Sequence, residues 1–190
     1  MAYQTAYLKS NYPAEYIAAC LTAVKRDKDR TAIFLSEARD MGVKVSTPDI
    51  NLSSSDFTVN DNEILFGLSA VRNVGDITAD KIVLERESNG EFESIEDFLS
   101  RIDSRSLNKR GVEALIQGGG LDKFGLTRKG MFDSAIELIE NAKELKANKE
   151  NNQGSLFEME DSHSTTINIK NTEWDNCLLY TSDAADEGHC

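Results

Sequence analysis

Three cysteines and two histidines are all that 190 residues contain. An odd number of cysteines with no paired spacing excludes a disulfide framework, and two histidines leave no zinc constellation. No run approaches the ~18 apolar residues of a membrane span, and residues 1–10 lack the apolar stretch of a secretory signal. The compartment these absences predict is the cytoplasm. Excess basic charge is missing too, since the formal net charge is −12. Domains that coat nucleic acid by bulk electrostatics are usually basic, so any such contact here has to be local. Hydrophobic residues make up 39% of the chain, enough for a modest core, with Cys20 expected inside it.

What is present is uneven. From Arg101 to Gly130 there are seven basic residues (Arg101, Arg105, Lys109, Arg110, Lys123, Arg128, Lys129) against three acids (Asp103, Glu113, Asp122). That window is either a binding face or an ordinary solvated one. Helical spacing predicts amphipathic helices over Pro13–Val24 and Asp29–Met41, with Gly42 closing the second. An extended stretch, Val43–Ile50, follows. Phe57-Thr58-Val59 and Ile64-Leu65-Phe66 flank Asn60-Asp61-Asn62 and read as a small β-hairpin. Beyond Gly67, glycines separate short helices expected at Leu68–Asn73, Ile77–Ser88, Ile95–Arg101 and Asn108–Gln117. A longer one, Arg128 to about Lys146, carries Met131, Phe132, Ala135, Ile136 and Ile139 as its apolar stripe. The fold class is therefore mainly α with a small β-hairpin, followed by a polar tail with little structure of its own.

Two segments carry chemistry. In Leu68–Glu85, Gly75 lies at a bend between two helices, with Ala79, Ile82 and Val83 facing back toward Val71 and Val74. A helix entered this tightly leaves its first N–H groups unpaired, and with the helix dipole they suit an anion such as a backbone phosphate. Asp76, directly after the bend, places a negative charge beside that position. In the polar tail, Gln153-Gly154-Ser155-Leu156-Phe157 sets an adjacent Leu and Phe far from any apolar stripe, where they can act as anchors for a partner's pocket.

The hairpin resembles the helix-hairpin-helix motif, with Asn73 where the motif's first glycine usually stands. The ordered series YQTAYLKSNYPAEYIAACLT, MGVKVSTPDIN, ILFGLSAVRNVG, FESIEDFLSRID, LNKRGVEALIQGGGLDKFG and QGSLF is similar to the family of bacterial DNA polymerase III alpha subunits, over Ala2 to about Asp175. The resemblance implies an internal piece of such a subunit. Its parts would be a fingers-like helical region at 1–50, a helix-hairpin-helix DNA-binding region at 51–126 and an amphipathic helix at 127–147. A linker at 148–176 would carry a clamp-binding peptide at 153–157. Residues 177–190 resemble a translated sequencing adaptor and are expected to be a scar.

The resemblance further implies DNA contacts from Asn73, Val74, Gly75, Arg105, Lys109 and Arg110, and docking on the β sliding clamp through Gln153, Leu156 and Phe157. The implied partners are the duplex DNA backbone, that clamp and other holoenzyme subunits, with no membrane. No catalytic or metal-binding residues are expected here. Magnesium is implied only for the parent polymerase, whose carboxylates lie upstream in that family. Two alternatives stay open: a helix-hairpin-helix module of a repair nuclease or helicase, and a non-enzymatic clamp adaptor.

Overall fold

The structure, a computed structural model, describes residues 2–102, 106–141 and Trp174. It is mainly α-helical with one small sheet. Three helices come first: α1 (Ala2–Asn11), α2 (Pro13–Val24) and α3 (Lys28–Asp40). Pro13 sits in the first turn of α2, where its missing N–H costs nothing. Asp27 caps α3 by accepting a hydrogen bond from the Arg30 amide. α1 has no counterpart among the expected elements. Tyr3, Tyr7 and Leu8 on it are exposed, so its sequence has no apolar period to read.

Strands β1 (Lys44–Ser46), β2 (Thr58–Asn60) and β3 (Glu63–Leu65) form a sheet in the order β1-β3-β2. β2 and β3 pair antiparallel with Asn60 opposite Glu63, so Asp61 and Asn62 alone make the turn. Both have positive φ, 47° and 64°, the requirement of the tight turn that matches strand twist. The hairpin thus forms as expected. It gains a third strand, because β1 runs parallel to β3 with Val45 opposite Ile64. Ile17, Leu21, Ala38, Val43, Phe57 and Ile64 close a first core between these helices and the sheet. Cys20, expected inside the core, is only half-buried.

A second core collects Ile50, Leu68, Val71, Val74, Ile82, Phe98, Leu115, Leu121, Met131 and Leu138. It is built by α4 (Asp76–Asn89), α5 (Ile95–Arg101), α6 (Lys109–Gln117) and α7 (Arg128–Asp133). Ser94, Asn108 and Thr127 cap α5, α6 and α7 with their side chains. Phe66 packs against both cores.

Two expected helices differ. Leu68–Asn73 is a single 3-10 turn, Leu68–Ala70, after which Val71 is extended. Its buried residues Leu68, Val71 and Val74 recur every three positions, and the amides of Ala70, Val71 and Val74 bond to carbonyls three residues back, the pattern of a 3-10 turn. The helix expected from Arg128 breaks at Ser134 (φ −93°, ψ 1°) before resuming over 135–141. The buried face also differs from the expected stripe: Met131, Ala135 and Leu138, spaced four and three apart, are inside, and Ile136 is exposed.

Candidate nucleic-acid interface

The turn that leads into α4 is Asn73-Val74-Gly75. Asn73 has φ 62°, so it supplies the left-handed residue that a glycine usually provides, a conformation asparagine tolerates better than most. Val74 is buried in the second core and pins the turn from below. Gly75 is the N-cap, at φ −81° and ψ 163°, with no side-chain cap. Its backbone needs no glycine, and a Cβ there would meet nothing within 4 Å. The turn therefore presents bare backbone to solvent. The amides of Thr78 and Ala79 return to the Gly75 carbonyl, while those of Asp76 and Ile77, the first two of α4, have no carbonyl of their own helix to bond, as at any helix N-terminus.

The start of α6 lies beside this turn. A Cβ on Gly111 would come 3.2 Å from the Asn73 carbonyl oxygen, so that glycine allows close approach of the two backbones. The Thr78 hydroxyl donates to the Ser106 carbonyl at 2.8 Å, and Lys81 donates to the Ser106 hydroxyl at 2.6 Å. Sequence positions 73–75 and 109–110 are thereby brought onto one face. Lys109 and Arg110 are exposed there, Lys109 within 3.4 Å of Glu113 one turn on. Arg72, directly before the turn, is exposed too, and neither Arg72 nor Arg110 enters an ion pair formed among the described residues. Sequence reading overlooked Arg72, although its place next to Asn73 was signal enough.

Arg101 and Arg128 of the basic window serve the fold. Arg101 lies 4.4 Å over the Phe92 ring and donates to the Glu85 and Asp97 carboxylates and to the carbonyls of Glu85 and Gly90. Arg128, 9% exposed, binds the Asp122 carboxylate through Nε and Nη2 and the Gln117 carbonyl through Nη1. Lys123 pairs with Glu91 at 2.7 Å. A window read as one cluster thus resolves into two staples held within the fold, Arg101 and Arg128, a surface pair at Lys123, and an exposed stretch around Lys109 and Arg110. Arg105 and the peptide residues Gln153, Leu156 and Phe157 lie outside the described residues, as do 177–190.

Asp76 is not a bare negative charge. Its carboxylate accepts from Lys25 Nζ at 2.7 Å and from the Arg26 guanidinium, both at the end of α2. The hydrogen bond from Lys25, then that from Arg26, pulls its pKa down to about 2. Nothing in the sequence marked these partners, which stand 51 and 50 positions away.

A tight turn with a left-handed residue, Asn73-Val74-Gly75, leading into a helix packed on the second core and flanked by exposed cations, is the arrangement of a helix-hairpin-helix protein. Residues 42–131 match the family described as a helix-hairpin-helix motif. Over 157 residues, 83% of the chain, it is 42% identical to the DNA polymerase III subunit alpha of Borreliella burgdorferi, covering 14% of that protein. Against the subunit of Thermus aquaticus the identity is 48%, over 66% of this chain and 10% of the relative. Against that of Mycobacterium tuberculosis it is 36%, over 93% and 15%. The chain belongs to the DNA polymerase III alpha-subunit family, and it spans 10% to 15% of the length of these three relatives.

Proposed function

We propose that this chain serves a replicative DNA polymerase as a grip on the duplex backbone that ignores base sequence, and as a docking point for the sliding clamp. The observation that carries the DNA part is the juxtaposition of the Asn73-Val74-Gly75 turn with the start of α6. The first amides of α4, those of Asp76 and Ile77, stand at this turn, with exposed Arg72 before it and exposed Lys109 and Arg110 at the start of α6. Amides and point cations suit phosphate oxygens and carry no reading of bases, which positions a protein on DNA without specifying sequence. The net charge of −12 confines this attraction to a small patch, so binding is weak.

The clamp part rests on the peptide Gln153–Phe157 and on the family. Partnership with other holoenzyme subunits and a cytoplasmic setting belong to the same reading; among the described residues no helix is long and apolar enough to cross a membrane. Template-directed synthesis requires acidic residues that hold metal ions. Among the described residues no group of three or more His, Cys, Asp or Glu is placed to do so. No step of synthesis is assigned to these residues.

The test is titration of a labelled duplex of arbitrary sequence at several salt concentrations. With about two to four phosphates engaged, log K against log salt should slope at about −2 to −4. Lys109→Glu with Arg110→Glu should weaken binding to all duplexes alike and flatten the slope. Unchanged binding would reduce this patch to a solvated surface and return the helical unit to a purely structural role.

A further inference from the structure

We infer that Lys25 and Arg26, at the end of α2, are positioning residues for DNA binding at the Gly75 turn, acting by screening the Asp76 carboxylate; this rests on the reading that the turn meets the DNA backbone. Asp76 is the first residue of α4. A carboxylate there is favourable to the helix dipole but hostile to a phosphate arriving at the same amides. The fold answers that conflict from another element. Lys25 Nζ reaches Asp76 Oδ1 at 2.7 Å, Asp56 Oδ1 at 2.5 Å and the Ser69 hydroxyl at 2.9 Å. Its side chain is only 16% exposed, so it is held in place rather than sampling solvent. Arg26 takes the other carboxylate oxygen and is 81% exposed. Both oxygens of Asp76 therefore face cations, and the depressed pKa agrees with a carboxylate whose charge is compensated.

Screening and bracing make opposite predictions. If the cluster were only a brace between the two cores, removing either side of the Lys25–Asp76 pair would loosen the turn and weaken binding. If it screens, Lys25→Met bares the carboxylate and weakens binding, whereas Asp76→Asn removes the repulsion, frees Arg26 while Lys25 stays on Asp56, and strengthens it.

The experiment uses the 190-residue chain with a labelled duplex of arbitrary sequence, read by fluorescence anisotropy. Lys25→Met should raise Kd by about threefold to tenfold, the range expected for one uncompensated charge near a phosphate in a water-like dielectric. Asp76→Asn should lower Kd by a similar factor and steepen the salt slope by about one, and the double variant should return close to wild type. Arg26→Ala, on an exposed side chain that leaves the cores intact, should weaken binding in the same direction as Lys25→Met without lowering Tm. Weaker binding by Asp76→Asn, or no response from either single variant, would overturn the inference. Failure of the underlying DNA reading has a different signature, in which the Lys109→Glu, Arg110→Glu variant binds as tightly as wild type.

Discussion

Asn51 and Phe92, 41 positions apart, meet through two hydrogen bonds: the Asn51 amide nitrogen donates to the Phe92 carbonyl at 2.9 Å, and its carbonyl oxygen accepts from the Phe92 amide at 2.9 Å. A side chain here imitates one rung of a β-ladder and satisfies a backbone that enters the second core. Asn51 is 5% exposed, so no solvent would replace it. Asn51→Leu should cost about 3 kcal/mol or more, because it strands a buried donor and a buried acceptor together. Urea denaturation measures this; a loss below about 1 kcal/mol would mean that water reaches the Phe92 backbone.

Gly67 and Gly75 should behave oppositely. A Cβ on Gly67 would lie 2.6 Å from the Asp56 carbonyl carbon and 2.8 Å from the Phe57 nitrogen, so two backbones would have to part. Gly67→Ala is expected to cost about 2–4 kcal/mol. Gly75→Ala meets open space and an extended φ of −81°, so it should leave Tm unchanged and lower DNA affinity by placing a methyl where the phosphate would approach. Thermal melts beside duplex titrations check both, and equal Tm losses would contradict the geometry.

Asn73, at φ 62°, sits in a conformation that costs most side chains about 1–2 kcal/mol. Asn73→Gly should be neutral or slightly stabilising, and Asn73→Val should destabilise by about 2 kcal/mol, since a β-branched residue fits that region worst. Denaturant midpoints for the pair give the answer. Equal stability of the two variants would mean that the turn relaxes out of the left-handed region.

Acid should act through Asp76. A carboxylate whose pKa is lowered on folding contributes stability that is complete above its unfolded value, 3.8, and is lost as pH falls toward its folded value, about 2. Asp76→Asn should remove part of the pH dependence of Tm within that window and change little above it. Identical pH profiles for wild type and Asp76→Asn would show that the ion pair is present in the unfolded chain as well.

For the clamp peptide, the expected strength is micromolar, near about −8 kcal/mol, because ordering a short segment offsets much of what Leu156 and Phe157 gain on burial. Phe157→Ala should weaken docking by about 2 kcal/mol, roughly thirtyfold, and Gln153→Ala by about 1 kcal/mol. Calorimetry against purified bacterial clamp decides between outcomes. Wild type and Phe157→Ala binding alike would leave the chain with DNA as its proposed partner and no docking peptide.

Signals that act within one turn of chain were legible in advance. Caps at Ser94, Asn108 and Thr127 bond to amides three residues on, and the Asp61-Asn62 turn needs only two residues able to take positive φ, so residue type and spacing suffice. The bend at Asn73-Val74-Gly75 and the inward faces of Ala79 and Ile82 belong to the same class. Misreadings arose where a local pattern admits two periods, as with Leu68, Val71 and Val74, whose three-residue repeat fits a 3-10 turn as well as an α-helix.

Charge was the quantity that sequence alone left undecided. Arg101, Lys109, Arg110 and Arg128 are equal cations in one window, yet two are held within the fold and two face solvent. Asp76 looks hostile to a phosphate until Lys25 and Arg26 arrive from α2. A side chain's charge is written in its residue type, whereas the field at a site is a sum over neighbours within a few ångströms. Only the closing of two cores, at Ile64 and at Leu115, determines which distant residues those neighbours are.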